Sequence, residues 1–597
     1  MTVAVLLPGP DPALTERLTA QLRAAGAREV VTAIPDGLGE PLLICSGDLV
    51  AHDAVIRHLA TTPGAGTVAL VLADGPGEPV REERGQLVPG PQTGVFGGLV
   101  RIGVADLPAL TSSPGAAVAD LLAAGTTVTS HRVRVLVAER VATAGEVPAA
   151  LARVAAVDSR AAELRLSVKE HDDFFTTFFV STWSPLVTRA AARLRLTPTQ
   201  VTAVSVVVVA AAAALFAAGP GRLGWVAGAI LLYLGFVLDC VDGQLARYTR
   251  TFSVFGGWLD TVADRAKEYL VYAGLAIGAG EGAWPLAVAA ITLQTVRHMT
   301  DTWYGTLHDV AARAPAADPA DPAAPAAGGG VAGRLGAVSD RVRADTGSPA
   351  YWLKRTAAFP IGERWALMAL LAALFGPRVA LVGVLAGIVA AFAYTLGLRT
   401  LRARGLRVSA FAGVDVTTQR DDGPIARLLG RSRVGGPLPA ALAAVAIAGA
   451  YLLTADTADP RPLALSAAVA LLVAALPAAA PHDRPLDFLV PAALRAAEYL
   501  FVIAVGVAFD VPAWATFLLL FALALWHYDL TARLEKRETG GFQRWGLGWD
   551  GRVVVIALGC AFGQAGVLTV TIATYVLSVF VLGSVIWWRN RAAAVVR

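Results

Sequence analysis

Cysteine is nearly absent from the chain: Cys45, Cys240 and Cys560 are the only three in 597 residues, and they lie far apart. They build neither a disulfide framework nor a cysteine-based zinc site, which fits a reducing compartment. Charge is scarce as well. Asp, Glu, Lys and Arg make up 16% of the residues against 55% apolar, and the mean hydropathy is +0.58. A soluble chain of this length carries far more charge, so an integral membrane protein with a soluble part is expected. Neither sign dominates: the net charge of +4 gives no reason to expect a nucleic-acid partner. The opening MTVAVLLPGPDPALTERL has no basic n-region and is interrupted by prolines, so no signal peptide is expected.

What is present divides the chain into four parts. Residues 1–165 alternate short apolar strands (TVAVLLPG, EVVTAI, PLLICSG, TVALVLAD) with helical periodicity (PALTERLTAQLRAAGA), which predicts a soluble α/β domain with a mainly parallel sheet. Residues 166–199 are aromatic-rich and carry Arg189, Arg193 and Arg195, the composition of an amphipathic segment in the membrane interface. About twelve apolar segments follow, at 200–218, 224–241, 256–278, 283–305, 362–376, 379–398, 437–454, 462–480, 487–508, 511–528, 552–567 and 569–588. They predict an α-helical integral membrane protein of two six-helix units, 200–405 and 406–597. Loops on one side hold 23 Lys and Arg; those on the other hold Arg222, Arg378 and Arg461. The positive-inside rule then predicts a multi-pass cell-membrane protein with both termini cytoplasmic. The stretch 311–350, with its Pro- and Ala-rich core, is expected to be a flexible cytoplasmic loop.

Four aspartates interrupt the second and third apolar segments, in LDCVDGQLARYTRTFSVFGGWLDTVADRA at 238–266. Each would cost several kcal/mol in a bilayer unless it is compensated. On a helix, Asp239, Asp242, Gly243 and Ala246 share an arc about 100° wide. Gly256, Asp260 and Asp264 are successive i,i+4 neighbours and form a stripe on the next helix. The glycines and the alanine are small where the stripes must approach something bulky, and Arg247 and Arg250 follow one turn later. Two facing carboxylate pairs make an oxygen cage for hard divalent cations beside a phosphate. Two such ions would clamp a pyrophosphate and stabilise both attacking and leaving oxygens. Helix-end solvation would explain Asp239 and Asp242, but not Asp260 and Asp264, which lead into YLVYAGLAIGAG.

The stretch resembles the signature of the CDP-alcohol phosphotransferases, D-x2-D-G-x2-A-R-x8-G-x3-D-x3-D. Asp239, Asp242, Gly243, Ala246, Arg247, Gly256, Asp260 and Asp264 meet every fixed position. LTPTQVT, which ends at Thr202, resembles the T-P-N-x-x-T run before that family's first span, with Thr199 in place of Asn. The resemblance covers about 170–405 and implies a reaction: an alcohol attacks the phosphate of a CDP-linked alcohol, a phosphodiester forms and CMP leaves. It implies two Mg2+ or Mn2+ ions on Asp239, Asp242 and Asp260, with Asp264 as general base that also touches metal. It implies that Gly243, Ala246 and Arg247 hold the CDP portion, with Gly256 and Thr202 lining the site. Most relatives use CDP-diacylglycerol and a small polyol or amino alcohol and make phospholipids as homodimers. PIGERWAL resembles the Arg-bearing fifth-span start of phosphatidylinositol-phosphate synthases, which makes Arg364 a candidate for an acceptor phosphate; Lys354 and Arg355 lie nearby.

LLICSGDLV resembles the nucleotidyltransferase strand that ends in a metal-binding Asp, here Asp48, in enzymes that make CDP-inositol. The first turn, LLPGPDPALTERL, lacks the Gly-rich loop and basic residue that phosphates need, so a degenerate domain is expected. A soluble CDP-polyol such as CDP-inositol is therefore a second donor reading, and a twelve-span transporter a third. RAKEYL (265–270) recurs as RAAEYL (495–500), and IGERWAL (361–367) has a counterpart in GWDGRVVV (548–555). A parallel repeat follows, with Val490 and Leu494 where Asp260 and Asp264 stand. The second unit is then expected to lack a catalytic site and to pack as an internal pseudo-dimer. Arg265 with Glu268 and Arg495 with Glu498 can pair within each helix at i,i+3; cross-pairing of Arg265 with Glu498 and of Arg495 with Glu268 would suit the pseudo-dimer.

Overall fold

The computed structural model describes residues 2–313, 348–406, 416–430, 436–456, 459–535 and 545–596, apart from a few single or paired positions between 36 and 220; Val342, Asp345, Val408 and Phe411 are also described. The expected loop at 311–350 lies for the most part outside the described residues.

The N-terminal part is an eight-stranded sheet in the order β2-β1-β3-β8-β5-β9-β7-β6. Its strands are β1 (Thr2–Leu6), β2 (Ala27–Val31), β3 (Leu42–Cys45), β5 (Thr67–Leu72), β6 (Pro79–Glu83), β7 (Gln86–Val88), β8 (Gly94–Ile102) and β9 (Val128–Arg132). A small second sheet pairs β4 (Leu49–Ala51) with β10 (Ala138–Arg140). The sheet is mixed rather than mainly parallel: β1 is parallel to β2 and β3, but central β8 runs antiparallel to both β3 and β5. The reason is the connection. Between β5 and β8 the chain makes the β6–β7 hairpin, whose turn holds Gly85 at φ 76°, and no crossover helix that would return it parallel. Helices α1 (Pro12–Ala24), α2 (Asp53–Ala60), α3 (Ala117–Ala123), α4 (Val147–Ala155) and α5 (Ser159–Leu166) complete this part. In α1, Leu14, Leu18 and Leu22 fall on one face by their i,i+4 spacing and are fully buried.

A short helix, α6 (Ser184–Arg193), follows a turn at 176–180 that exposes Phe178 and Phe179. The turn is docked on the later chain, because the Phe174 N–H donates to Glu363 Oε1 at 3.0 Å. Then come α7 (Pro198–Ala218), α8 (Arg222–Thr249), α9 (Val254–Ala279) and α10 (Trp284–Arg313). After these stand α11 (Pro349–Ala357), α12 (Ile361–Phe375) and α13 (Pro377–Ala403). The remainder holds α14 (Val416–Arg420), α15 (Pro424–Leu429), α16 (Pro437–Thr454), α17 (Pro460–Ala475), α18 (Val490–Ala508), α19 (Ala513–Glu535), α20 (Gly548–Ala561) and α21 (Ala565–Val596). Among the described residues, eight helices are long and apolar enough to cross a membrane, or nine if α11 and α12, bent by 76°, count as one span. The chain is a multi-pass helical membrane protein with an N-terminal α/β region.

Within 198–403, α7 packs on α8 and α9, α8 on α12, α12 on α13, and α10 on α9 and α13. Within 437–596, α16 packs on α17 and α18, α17 on α20, α20 on α21, and α19 on α18 and α21. Between the two sets, α9 and α10 both meet α19, and α10 also meets α18. The N-terminal part is fastened to the end of α8. Arg250 closes that helix in the left-handed conformation, φ 58°, which is uncommon for a side chain of this size. Its guanidinium donates to Thr61 Oγ1 at 3.0 Å and to the His58 carbonyl at 2.8 Å, both at the end of α2.

Candidate active site

The break at 250–253 turns the chain so that the end of α8 and the start of α9 lie together. Ser253 caps α9: its Oγ accepts the Gly256 N–H at 2.8 Å, and a Cβ on residue 256 would crowd that oxygen. Oxygens of Asp239 on α8 and of Asp260 and Asp264 on α9 come within 4.8 Å of one another. Asp242 lies beside this trio, and its Oδ2 accepts the Thr202 hydroxyl of α7 at 2.6 Å. Thr202 therefore orients a carboxylate across a helix interface. Gly243 leaves the room in which Arg247 lies: a Cβ there would sit 3.3 Å from Arg247 Nη1. Arg247 in turn donates through Nε to the Ser167 carbonyl at the end of α5. Ala246 is half-buried beside it.

A lysine occupies the floor of the cluster. Lys267 is fully buried, and its ammonium pairs with Asp239, lies 3.2 Å from Asp264 Oδ1 and donates to Ser205 Oγ at 3.3 Å. It also stands 5.9 Å from the centre of the Trp365 ring. A buried ammonium without partners is prohibitive, so these contacts explain why it is tolerated. The residue is i+3 from Asp264 on the same helix, and that spacing is the signal by which sequence reasoning could have found it.

The donor set fits divalent cations. Four carboxylates share one ammonium, and among the described residues buried Asp264 Oδ1 accepts no hydrogen bond beyond its 3.2 Å ion pair with Lys267. Hard oxygen donors converging from two helices suit Mg2+ or Mn2+.

Arg364 is not brought to the carboxylates. It is buried, and its Nε and Nη2 grip Glu268 of α9 at 2.7 and 3.0 Å, while Nη1 donates to the Phe359 carbonyl at 3.0 Å. Glu268 also accepts from Arg265 Nη1 at 2.9 Å and from the Tyr272 hydroxyl at 2.7 Å. Glu498 of α18 is held by Arg552 of α20, at 2.6 and 3.1 Å, while Arg495 donates to the carbonyls of Gln419 and Arg420. The expected cross-pairing of Arg265 with Glu498 and of Arg495 with Glu268 is thus not formed. Instead an arginine of the fifth helix of the same set reaches each glutamate of the third in bidentate geometry.

An apolar groove of about 300 Å³ lies along α8 and α12. Phe175, Ile230, Tyr233, Phe236, Trp365 and Ala369 are among its lining residues. Phe236 is one turn from Asp239, and Trp365 is the ring beside Lys267.

In the N-terminal part, Asp48 is not open to a metal: Arg140 binds it with two nitrogens at 2.8 and 3.1 Å. The first turn is closed, since backbone of Gly47 fills the place of a Cβ on Gly9, and Asp11 caps α1 by accepting the Ala13 N–H at 2.8 Å. A carboxylate thus occupies the helix end where a phosphate would bind.

Residues 195–325 match the CDP-alcohol phosphatidyltransferase family. Residues 411–597 match a family of unknown function, DUF5941. Over 90 residues, 15% of this chain and 46% of the relative, the sequence is 33% identical to archaetidylinositol phosphate synthase of Pyrococcus horikoshii. Over 85 residues, 14% of this chain and 19% of the relative, it is 41% identical to bifunctional IPC transferase and DIPP synthase of Rubrobacter xylanophilus. The chain spans less than half the length of these curated relatives.

Proposed function

We propose, from the match of residues 195–325 to the CDP-alcohol phosphatidyltransferases, that this chain moves a phosphatidyl group from CDP-diacylglycerol to the hydroxyl of a polyol or polyol phosphate and releases CMP. The observation that carries the choice of donor is the apolar groove between α8 and α12. Its Phe236 is one turn before Asp239 in α8 and its Trp365 ring is beside Lys267, and it is walled by Phe, Ile, Tyr and Trp, surface that an acyl chain covers and a soluble CDP-polyol leaves bare. The name of the Pyrococcus relative, an archaetidylinositol phosphate synthase, supports an inositol phosphate as acceptor.

Asp239, Asp242, Asp260 and Asp264 would hold the divalent ions, with the active site on the cytoplasmic side of a twelve-span chain. Bound there, two divalent cations neutralise the pyrophosphate and favour phosphoryl transfer. Thr202 fixes Asp242, and Lys267 fixes Asp239 and Asp264 against α7. Gly243 and Ala246 would leave space for the cytidine side of the donor, and Arg247, anchored through Nε to the Ser167 carbonyl, would offer its terminal nitrogens to the phosphate. The acceptor oxygen attacks the phosphorus that carries the diacylglycerol. The bond from that phosphorus to the CMP oxygen breaks, CMP leaves, and the hydroxyl proton passes to the Asp264 carboxylate.

Filling the groove tests the donor. Ala369→Trp should raise KM for CDP-diacylglycerol by about tenfold or more while leaving kcat within about threefold, the signature of lost ground-state binding. Unchanged KM for CDP-diacylglycerol, or CMP release from CDP-inositol alone, would overturn the lipid reading.

A further inference from the structure

Residues 437–596 carry the same internal architecture as 198–403. Every helix contact named above for α7, α8, α9, α10, α12 and α13 has its counterpart in α16, α17, α18, α19, α20 and α21, in that order. The polar core repeats as well. Glu268 is held by Arg364, third helix to fifth, at 2.7 and 3.0 Å; Glu498 is held by Arg552, third to fifth, at 2.6 and 3.1 Å. Each arginine spends its remaining nitrogen on a carbonyl just before its own helix, Phe359 or Gly546. Tyr269 and Tyr499 each place a hydroxyl 2.9 Å from a side chain of the fourth helix, Thr295 or His527. Chance resemblance between apolar helices does not reproduce a buried ion pair and its neighbours at matched positions.

The two sets also meet through equivalent helices. α9 packs on α19, and α10 packs on both α18 and α19, so third meets fourth in both directions, as a two-fold relation requires. On the α9 side this contact reaches the site itself. Trp258, two residues before Asp260, donates through Nε1 to Asp529 Oδ1 of α19 at 2.6 Å, and both groups are buried. Its ring packs 5.6 Å from that of Trp588 on α21. Arg265, next to Asp264, stands 5.6 Å from the ring of Tyr528 on α19.

We propose that 437–596 is a second copy of the six-helix unit, emptied of its carboxylates, that serves as the built-in partner of the first. Its task is to hold α9, and with it Asp260 and Asp264, in register with α8. Trp258 and Asp529 are positioning residues in this scheme. The role of the contact rests on the metal-binding reading of the carboxylates; the copy and its packing do not.

The test uses the full chain in lipid nanodiscs and reads Mn2+ binding by the purified protein alongside CMP release. Asp529→Leu should weaken Mn2+ binding about tenfold and lower kcat by a similar factor, whereas Asp529→Asn, which keeps an acceptor oxygen, should stay within about twofold of the parent. Trp258→Phe, which removes the shared contact while leaving the Asp529–Arg533 ion pair in place, should weaken Mn2+ binding in the same direction, and the double variant should be no worse than Asp529→Leu alone. Activity and Mn2+ binding per chain should not change on dilution. Normal Mn2+ affinity in Asp529→Leu would overturn the positioning role, and activity lost on dilution would overturn the built-in partner. A parent that binds Mn2+ as described but turns over no CDP-alcohol would contradict the proposed reaction alone.

Discussion

In α9, Glu268, gripped by Arg364 of α12, stands one turn beyond Asp264, with Lys267 between the two carboxylates; in α18, Glu498, gripped by Arg552 of α20, stands one turn beyond Leu494, with Ala497 between. The comparison separates framework from chemistry. The glutamate–arginine clamp is present in both sets of helices, so it belongs to the packing. The aspartates and the lysine are present in one alone, and they go together: where α18 has no carboxylates to neutralise, it has no buried ammonium either. Val490 and Leu494, in the places of Asp260 and Asp264, are simply buried.

The comparison breaks first at Asp264. Asp264→Asn should reduce CMP release by about 10³-fold or more while Mn2+ binding persists, as expected for loss of a general base; near-normal turnover would remove Asp264 from the chemistry. Next in size, chelation should silence the enzyme and Mg2+ or Mn2+ should restore it, while Asp260→Ala should respond to neither. Activity that survives exhaustive chelation would put the carboxylates on the framework side.

The clamps come next. Glu268→Gln leaves the buried Arg364 undercompensated, at a cost of about 3 kcal/mol, read as a fall in thermal midpoint, and Glu498→Gln should cost less, because Arg552 Nη2 also binds Asp421 Oδ2 at 2.7 Å. For Glu498→Gln the kcat of the folded fraction should stay within about twofold; a selective loss of kcat would give the second clamp a chemical role. Lys267→Met should act in the opposite sense on metal. With the competing cation gone, the Mg2+ concentration for half activity should fall about tenfold, and the metal-free protein should unfold at a lower temperature. An unchanged requirement would return Lys267 to the framework.

The smallest effect concerns the N-terminal contact. Burial and the Arg250 guanidinium hold His58 down to about 3, and burial holds His131 down to about 4, against an ordinary 6.5. Both are neutral when folded, while the unfolded chain takes up protons below about pH 6.5. The stability they support is therefore complete above that pH and is lost as the pH falls toward 4. Thermal scans of the parent and of His131→Phe should diverge only in that window.

Much of this was legible in the sequence because it is periodic. The aspartates repeat at helical spacings, and RAKEYL and RAAEYL share a phase that places Glu268 and Glu498 alike. What was not legible depends on contacts between distant segments. The partner of each glutamate is on the fifth helix rather than across the interface, and nothing local selects between those choices. Arg364 reads as an exposed cation at a helix start, yet the fold turns it inward onto Glu268. The antiparallel run of β8 follows from a hairpin that lies between two apolar strands and carries no strong pattern. Lys267 was hidden among flanking charges, although its spacing from Asp264 marks it.

The most direct test of the central claim is product formation by the full chain in nanodiscs with Mg2+, CDP-diacylglycerol labelled in its acyl chains, and inositol phosphate. The account predicts one labelled phosphodiester lipid for each CMP released, with no product from the Asp264→Asn variant. CMP release without a labelled lipid product, or equal product from Asp264→Asn, would contradict it.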